Sequence, residues 1–405
     1  MRISLEEAVS RLHNGIEALL PVRLPLFETL GCMTAEEIKA GMDQPPFPRS
    51  PYDGYALRAQ DSLNASRDNP VRLFVKDKSY AGKPAEAVVG PGEAVRIMTG
   101  GVIPEGADCV IPQEQTDDGE ILVRIYEALK PFDNYCRKGE DFLSGSSIIK
   151  SGIPVTAAVL GVAASAGCTG LLVFPKPRAA ILSTGDELQA PGRPLGKGQI
   201  YDSNATLLAA RLSELGIPVT ENINICDDLS ELTHVIEMAD STSDIIISTG
   251  GVSVGERDLV PAALRKLGAE MIFHGVAIKP GMPAVFAMLK GKPVLALSGN
   301  PFAGAVSFEL LVRPALAILA SDPRIEAYRL NAFLAEGFSR KRPLRRFQRG
   351  ILKDQTVVIP GEQGNGQLRT MIGCNCIVEL PAGTEPLPPG TRVNVYMLEG
   401  GLYGM

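Results

Sequence analysis

The sequence is poor in the residues that many enzymes use for histidine or metal chemistry. Its 405 residues include only three histidines (His13, His234 and His274) and seven scattered cysteines. Scattered cysteines of odd number in so long a chain do not form a disulfide framework, and cytosolic thiols stay reduced. Cys374-x-Cys376 lacks a second cysteine pair or a nearby histidine, so buried thiols in a strand are favoured over a zinc site. We therefore expect any chemistry to depend on Asp, Glu, Lys, Arg and backbone groups.

An excess of positive charge and a long apolar run are also lacking. The chain has 40 basic and 46 acidic residues, a formal net charge of −6, which argues against a general nucleic-acid or anionic-membrane surface. No apolar run approaches the roughly 18 residues that span a bilayer. The first residues carry acids where a signal peptide has its apolar stretch. We therefore expect a cytoplasmic protein that binds neither nucleic acid nor membrane.

The hydrophobic pattern divides the chain into regions of different character, in keeping with about three domains at roughly 150 residues each. Residues 1–43 and 138–175 have helical spacing and predict a helical connecting domain. Residues 44–137 have short β runs between Gly/Pro turns and predict an inserted β-rich domain. In residues 176–322 strands alternate with helices, which predicts a parallel sheet with helices on both faces. Residues 323–405 predict a small β-barrel or sandwich. Runs read as strands include 109–112, 219–225 and 376–380.

Polar segments follow three strands of the predicted parallel sheet, at 184–187, 249–258 and 298–301. Ligands of such sheets bind outside the carboxyl ends of the strands. Glycines allow close backbone approach, and the following helices supply free N–H groups, so these loops predict an anion site. The carboxylates of Asp186 and Glu187 beside it suggest a bridging Mg²⁺. Helix capping is the alternative role for Asp186, and a packing turn is the alternative for the glycine-rich loop.

Further charged residues lie at a strand end and in the inserted β-rich domain. Lys279 follows a short strand and suits an oxyanion, although a solvated lysine is the alternative. The proline-stiffened segment 45–56 presents Arg49, Ser50 and Asp53 from a rigid loop, a common position for functional residues. An arginine–aspartate pair there has a purely structural alternative.

These segments, in this order, resemble the molybdopterin molybdenumtransferase family, which includes the C-terminal domain of gephyrin. The matching stretches are PPFPRSPYDGYA (45–56), RIMTGGVIPEGAD (96–108), RKGEDF (137–142), STGDEL (183–188), YDSN (201–204), DIIISTGGVSVGERD (244–258), AIKPGMP (277–283) and SGNP (298–301). The resemblance implies an elongated homodimer with a molybdopterin-binding α/β domain and a C-terminal β-barrel. It also implies the reaction of adenylylated molybdopterin with molybdate to give molybdenum cofactor and AMP, with Mg²⁺ as cofactor. Other cofactor-biosynthesis proteins and molybdoenzymes are then possible partners.

The resemblance also implies roles for individual residues. Asp258 is the acidic residue expected first in catalysis, and Lys279 is expected to bind the oxyanion. Asp53, Thr99 and Asp141 are expected to contribute across the dimer interface. The expected substrate contacts are Gly250, Gly251, Ser253, Gly255, Ser298, Gly299, Asn300, Pro301, Ser50, Arg349 and Asn365. The expected metal ligands are Asp186, Glu187 and Asp258.

The sequence departs from the family pattern at the expected oxyanion site. Met282 stands where many members have a second lysine, Gly275 where some have another, and Asn365 where a serine is frequent. These changes remove positive charge and a hydroxyl. Weaker molybdate affinity, a compensating donor such as Arg345 or Arg346, and a preference for tungstate all stay open.

Two other functions are compatible with parts of the sequence. A molybdopterin adenylyltransferase would use the same α/β domain with ATP, but that activity usually belongs to short proteins without the segment 45–56. A non-catalytic scaffold, as gephyrin's clustering role suggests, is disfavoured because no long disordered linker accompanies the core. The metal-inserting enzyme is the favoured interpretation.

Overall fold

The computed structural model describes residues 2–252, 259–383 and 385–398. The N-terminal elements are α1 (Leu5–Gly15), β1 (Val22–Pro25), β2 (Met33–Thr34) and β3 (Ile38–Lys39). Ser4 starts α1, because its hydroxyl accepts the N–H of Glu7 at 3.0 Å and so satisfies a free helix donor. The buried side chains of α1, Leu5, Ala8 and Leu12, belong to the core of the α/β domain. The first helix therefore packs away from the connecting region to which we assigned it.

The inserted domain is a five-stranded sheet, as its β-rich pattern predicts. Its elements are β4 (Gly54–Leu57), α2 (Ala59–Ser62), β5 (Val71–Ser79), β6 (Glu93–Ile97), β7 (Cys109–Pro112) and β8 (Leu122–Ile125). The strand order is β7-β4-β6-β5-β8, and only β5 and β6 run parallel. Tyr55, Leu57 and Leu73 lie in its own buried core. The domain thus has a core separate from that of the α/β domain.

The chain then returns to the connecting region through β9 (Ser147–Ile149), α3 (Ala157–Ser165) and β10 (Gly170–Phe174). Two small sheets, β1-β10-β2 and β3-β9, join its two halves. Burial alternates along β10, where Leu171 and Val173 are buried and their neighbours are partly exposed. The region predicted as helical therefore contains α3 and several short strands, because period-two burial prevails outside α3.

The α/β domain contains a six-stranded sheet with helices on both faces. Its elements are β11 (Ala179–Thr184), β12 (Leu188–Gln189), β13 (Ile200–Tyr201), α4 (Ser203–Glu214), β14 (Val219–Ile225), α5 (Leu229–Thr242), β15 (Ile245–Thr249), α6 (Leu259–Lys266), β16 (Glu270–His274), β17 (Ile278–Lys279), β18 (Val285–Leu289), β19 (Lys292–Leu297), α7 (Pro301–Ser307) and α8 (Arg313–Leu319). The strand order is β14-β11-β15-β19-β18-β16. The first four strands are parallel, whereas β18 and β16 are antiparallel to their neighbours. The sheet is therefore mixed at one edge, which the strand–helix alternation did not predict.

Successive residues of the central strands pack into two different cores. Ile181 and Ile247 face one core, with α1, α4, α7 and α8. Leu182 and Ile246 face the other, with α5 and α6. Both faces are covered, which explains why these strands are continuously apolar rather than alternating. The prediction of helices on both faces is confirmed.

The C-terminal domain is a closed barrel. Its strands are β20 (Arg329–Leu334), β21 (Arg345–Lys353), β22 (Thr356–Val358), β23 (Cys376–Leu380) and β24 (Arg392–Met397). They pair in the order β21-β22-β20-β24-β23, and β23 pairs back with β21 to close the barrel. The short strand β17 of the α/β domain adds to β21. The barrel prediction is confirmed, and the barrel is attached to the α/β domain through shared hydrogen bonds.

One helical stretch, Pro301–Leu319, is long and apolar enough to cross a membrane by length and composition, with a mean hydropathy of 1.7. The expectation that no run approaches this length is therefore wrong. However, 94% of the stretch is buried inside the protein, so it is a core helix. It contains α7, a π-helical turn (Phe308–Val312) and α8.

A buried ionic network holds this core helix against α4. Glu309 is 3% exposed and Arg313 is 2% exposed. Glu309 accepts hydrogen bonds from the Arg313 Nη1 at 2.7 Å and from the Arg211 Nε at 3.0 Å. Arg211 also pairs with Glu214, whose side chain is 58% exposed. Because α4 and α7 both start at the carboxyl edge of the sheet, the network fixes the relative position of two helices at that edge.

We predict that Glu309→Gln lowers the free energy of unfolding by about 3 kcal/mol, because it leaves the buried guanidinium of Arg313 without its carboxylate and removes one of the two carboxylates paired with the partly buried Arg211. Glu214→Gln is the matched control. It removes an exposed partner of the same Arg211 and is expected to cost about 0.5 kcal/mol or less. Urea unfolding followed by circular dichroism measures both. Equal losses in the two variants would show that burial does not determine the strength of this network.

Candidate functional site

Three parallel strands end together at one edge of the α/β sheet, and their loops touch. A Cβ atom on Gly250 would lie 2.4 Å from the Thr184 carbonyl oxygen, and one on Gly299 would lie 3.4 Å from the Gly250 Cα. Gly250 has φ = +89°, a conformation that side chains other than glycine rarely adopt. The N–H of Gly250 donates to the Leu297 carbonyl at 3.2 Å. The three polar segments predicted to share a site are therefore in direct contact.

A cavity of about 780 Å³ opens at this junction, within the range of small-molecule sites. Its wall contains seven residues named from the sequence: Glu187, Gly250, Gly251, Ser298, Gly299, Asn300 and Pro301. Gly366 and Leu368 of the barrel domain close one side. Ser253, Gly255 and Asp258, also named from the sequence, lie outside the described residues.

Asn204 joins two of the loops and was missed as a site residue. Its side-chain amide donates to the Thr249 hydroxyl at 3.1 Å and to the Gly299 carbonyl at 2.7 Å. Its Oδ1 atom and the Thr184 hydroxyl are buried and have no hydrogen-bond partner among the described residues. Both residues line the cavity, so these oxygens are suited to contact a bound molecule. The position of Asn204 in the first turn of α4, two residues after the cap Asp202, was the available signal.

The carboxylates that line the cavity differ partly from those expected. Glu187, Asp202 and Asp227 line it, whereas Asp186 does not. The Asp186 Oδ1 accepts the backbone N–H of Asp227 at 3.0 Å, and Asp202 caps α4 through the N–H of Ala205. Among the residues that the structure describes, no group of three acidic, histidine or cysteine side chains is close enough to hold a metal by itself. From the residues that the structure describes, a metal here would take only one or two carboxylates.

Arg349 packs against Phe302 near the start of α7 and is completely buried. Its guanidinium carbon is 3.8 Å from the centre of the Phe302 ring, and its Nη2 donates to the Gly364 carbonyl at 2.9 Å. Its Nε and Nη1 have no partner among the described residues. Burial lowers the pKa of this guanidinium below its ordinary value. Two unused donors on a buried cation are energetically costly, which is typical of a functional residue.

Arg349 does not line the cavity, and neither do Asn365 and Lys279. The carbonyl of Asn365 accepts the N–H of Phe302, at the start of α7, at 3.0 Å. This bond holds the barrel loop against the helix and places the neighbouring Gly366 in the cavity wall. Lys279 is exposed on β17, four residues before Pro283, which does line the cavity.

The residues named in the inserted domain form a cluster of their own. The Asp53 Oδ1 accepts the N–H and the hydroxyl of Thr99, both at 2.7 Å. These bonds, the backbone one first, hold the pKa of the Asp53 carboxyl below its ordinary value. Ser50 is buried beside them, and its carbonyl accepts the N–H of Gly100. Ser50, Asp53, Thr99 and Asp141 do not line the cavity of their own chain.

Comparison with known proteins finds relatives that match nearly the whole chain, domain by domain. Family models match residues 3–167 (MoeA N-terminal region, domain I and II), 180–318 (probable molybdopterin binding domain) and 331–398 (MoeA C-terminal region, domain IV). The molybdopterin molybdenumtransferase 2 of Mycobacterium tuberculosis is 35% identical over 402 residues, 98% of this chain and 99% of that protein. The molybdopterin molybdenumtransferase of Staphylococcus epidermidis is 34% identical, covering 98% of this chain and 96% of that protein. The crystal structure of a molybdopterin biosynthesis MoeA protein from Pyrococcus horikosii has a TM-score of 0.83 at 32% identity, covering 99% and 100% of the two chains.

We predict that Gly250→Ala destabilises the protein by about 3 kcal/mol or more, because it adds both backbone strain and a clash with the Thr184 carbonyl. Gly192→Ala is the control. Gly192 has a similar φ of +87°, but a Cβ there meets nothing within 4 Å, so strain alone should cost about 1 kcal/mol. Urea unfolding of the two variants gives the comparison. Equal losses would show that the loops are not tightly packed at Gly250.

Proposed function

The chain belongs to the molybdopterin molybdenumtransferase family and is an enzyme of molybdenum cofactor biosynthesis; we propose that it inserts molybdate into adenylylated molybdopterin and releases AMP. The observation that carries this reaction is the 780 Å³ cavity where the three strand-end loops meet the barrel domain. Its volume suits a pterin with its phosphates.

Backbone and side-chain groups of the cavity suit an anionic substrate. The cavity lies at the carboxyl edge of the sheet and at the start of α4 and α7, where helix N-termini favour negative charge. The Gly250 N–H is already used within the protein, so the backbones of Gly251 and Gly299 are the better candidates for contact with the substrate's phosphates. The unpartnered oxygen of Asn204 would instead accept an N–H or O–H of the substrate. The buried cation Arg349 adds positive charge behind the α7 terminus.

The donor set fits Mg²⁺. The cavity offers oxygen ligands from Glu187 and Asp227, and Mg²⁺ commonly takes one or two carboxylates together with substrate phosphates and water. Bound there, the ion would neutralise charge on the substrate phosphates. Glu187 is the residue we propose to hold it, because its carboxylate lies against Gly185 at the cavity wall. Asp258 lies outside the described residues, and its role as a metal ligand stays a proposal.

We also propose that the enzyme works as a homodimer in the cytoplasm. All described residues of the cavity wall lie at or after Thr184 in the sequence, so the inserted domain contributes none of them. The cluster at Asp53 and Thr99 in that domain nevertheless contains an ionised carboxylate suited to catalysis. A second copy of the chain would bring that cluster to the cavity. The uncharged helix α3 is a candidate for such an interface, because its exposed residues are small and apolar: Ala157, Ala158, Gly161 and Ala164.

The reaction is tested by mixing the purified protein with adenylylated molybdopterin, molybdate and Mg²⁺. We predict release of AMP that requires both molybdate and Mg²⁺, and at least a tenfold lower rate for Glu187→Gln, since one lost ligand typically costs that much. AMP release without molybdate would contradict metal insertion. Consumption of ATP with molybdopterin would instead indicate an adenylyltransferase, and complete inactivity beside an active relative would indicate a scaffold.

The shared site is tested by mixing two variants that are each expected to be strongly impaired, Asp53→Asn and Glu187→Gln. If each site uses Asp53 of one copy and Glu187 of the other, a mixed dimer has one intact site. Random mixing at equal amounts then restores about a quarter of the wild-type activity. Half of the dimers are mixed, and each mixed dimer has one intact site out of its two. No recovery, in a sample shown to contain mixed dimers by differential tagging, would place both residues in one chain's site.

A further inference from the structure

The described wall of the cavity has an apolar part that none of the contacts proposed above uses. The polar groups of the wall come from the loops after β11, β14, β15 and β19 and from the start of α4. Leu188, Ile200 and Tyr201 instead come from β12 and β13, which form a two-stranded sheet separate from the six-stranded one. The cavity therefore has two chemically different parts, and they lie on different elements of the fold.

Two large apolar side chains in this part are open to solvent. Ile200 is 56% exposed and Tyr201 is 45% exposed. Among the wall residues that the structure describes, Tyr201 is also the one aromatic side chain. Large apolar side chains that stay exposed in a concave wall are typical of ligand sites, because a bound molecule removes their surface from water. The apolar part of the wall is thus suited to an aromatic part of a ligand.

The Tyr201 ring is held in place by the protein itself. Its hydroxyl donates to the Arg193 carbonyl at 3.0 Å, and the next residue, Asp202, donates its N–H to the Gln189 carbonyl at 2.9 Å. The polar tip of the ring is therefore used within the protein, and its exposed apolar surface is what remains to contact a ligand. A side chain fixed in this way loses little conformational freedom on binding.

The chain runs from Tyr201 directly into the part of the cavity that suits phosphate. Asp202 caps α4, and the next two residues, Ser203 and Asn204, line the same cavity. Asn204 donates to the Gly299 carbonyl in one of the strand-end loops at 2.7 Å. Tyr201 and Asn204 are three residues apart, at most about 11 Å along the chain. One molecule with a planar ring and a phosphate can therefore contact both parts of the cavity.

We propose that Tyr201, with Ile200 beside it, is the platform on which a planar fused-ring heterocycle of the substrate stacks. A tyrosine ring stacks on any such heterocycle, because each of them has a π face. This assignment rests on the proposed function, since it names the residue of that site that contacts the ring of the substrate. Adenylylated molybdopterin carries two rings of this class, the pterin and the adenine.

Isothermal titration of the full-length protein with three ligands distinguishes the two rings. The ligands are adenylylated molybdopterin, AMP and ribose 5-phosphate, of which the last has the phosphate without a ring. If the platform takes adenine, the binding of adenylylated molybdopterin and of AMP both depend on Tyr201. If it takes the pterin, only the binding of adenylylated molybdopterin depends on Tyr201. Ribose 5-phosphate should bind independently of Tyr201 in either case.

The titration compares the wild type with Tyr201→Ala, Tyr201→Phe and Tyr328→Ala. Tyr328 is the control, because it is similarly exposed, at 52%, and does not line the cavity. We expect Tyr201→Ala to weaken binding of adenylylated molybdopterin at least fivefold, roughly the least that one stacked aromatic ring contributes. Tyr201→Phe should stay within about threefold of the wild type, because it keeps the ring and loses only the bond to the Arg193 carbonyl. Tyr328→Ala should change binding less than about twofold, since it touches no part of the site.

The difference absorbance spectrum of the bound ligand reports stacking directly, because a heterocycle stacked on an aromatic ring absorbs less light. We expect this loss of absorbance with the wild type and Tyr201→Phe, and its disappearance with Tyr201→Ala at saturating ligand. A merely structural role of Tyr201 would leave the spectrum of the bound ligand unchanged. Thermal unfolding of each variant shows that weaker binding is not a loss of folding.

Equal binding of adenylylated molybdopterin by Tyr201→Ala and the wild type would overturn the assignment. An equal loss in Tyr328→Ala, or an equal loss for ribose 5-phosphate, would overturn it as well. The AMP assay separates the two proposals. Normal AMP release with binding indifferent to Tyr201 refutes only the platform, whereas Tyr201-dependent binding with the spectral change but without AMP release refutes only the reaction.

Discussion

The site depends on a single steric constraint, the close approach of three backbone segments where the parallel strands end. Strands buried on both faces bring Thr184, Thr249 and Leu297 to one edge. Only a residue without a side chain fits at Gly250, between the Thr184 carbonyl and Gly299. This packing makes a cavity rather than three separate loops. The helices α4 and α7 start at the wall of this cavity, so their N-terminal dipoles and the loop side chains face the same cavity.

Two buried arginines of this fold differ in how far their charges and donors are compensated. Arg313 is paired with Glu309 and with backbone carbonyls, so its charge is compensated within the core. Arg349 is just as deeply buried but keeps two donors unused. A buried donor without a partner lowers stability, and such a cost is common at functional sites. The unused donors lie close to the start of α7, where the proposed substrate charge would be.

The sequence predicted those features that local pattern determines. The runs 109–112, 219–225 and 376–380 are strands with the expected bounds, because apolar β-prone stretches between turns have few alternatives. The meeting of the three loops at one edge of the sheet was also predicted, because parallel strands place their carboxyl ends at the same edge. The pair Ser4 and Glu7, at the spacing of a capping box, also predicts the start of α1 that the structure shows.

Features set by distant contacts could not be predicted. The antiparallel edge strands, the docking of α1 on the α/β core and the closure of the cavity by Gly366 each join parts of the chain far apart in sequence. The pairing of Arg345 with Glu6, 339 residues away along the chain, is of this kind. Asn204 was quoted within a motif, but its role as a bridge between loops requires knowing that Thr249 and Gly299 are neighbours.

The most direct measurement is a crystal structure of the protein soaked or co-crystallised with adenylylated molybdopterin. The account predicts density for the phosphates at the junction of residues 184–187, 249–252 and 298–301, with the ligand reaching toward Gly366. A ligand bound with full occupancy on any other surface, leaving this junction without density, would contradict it.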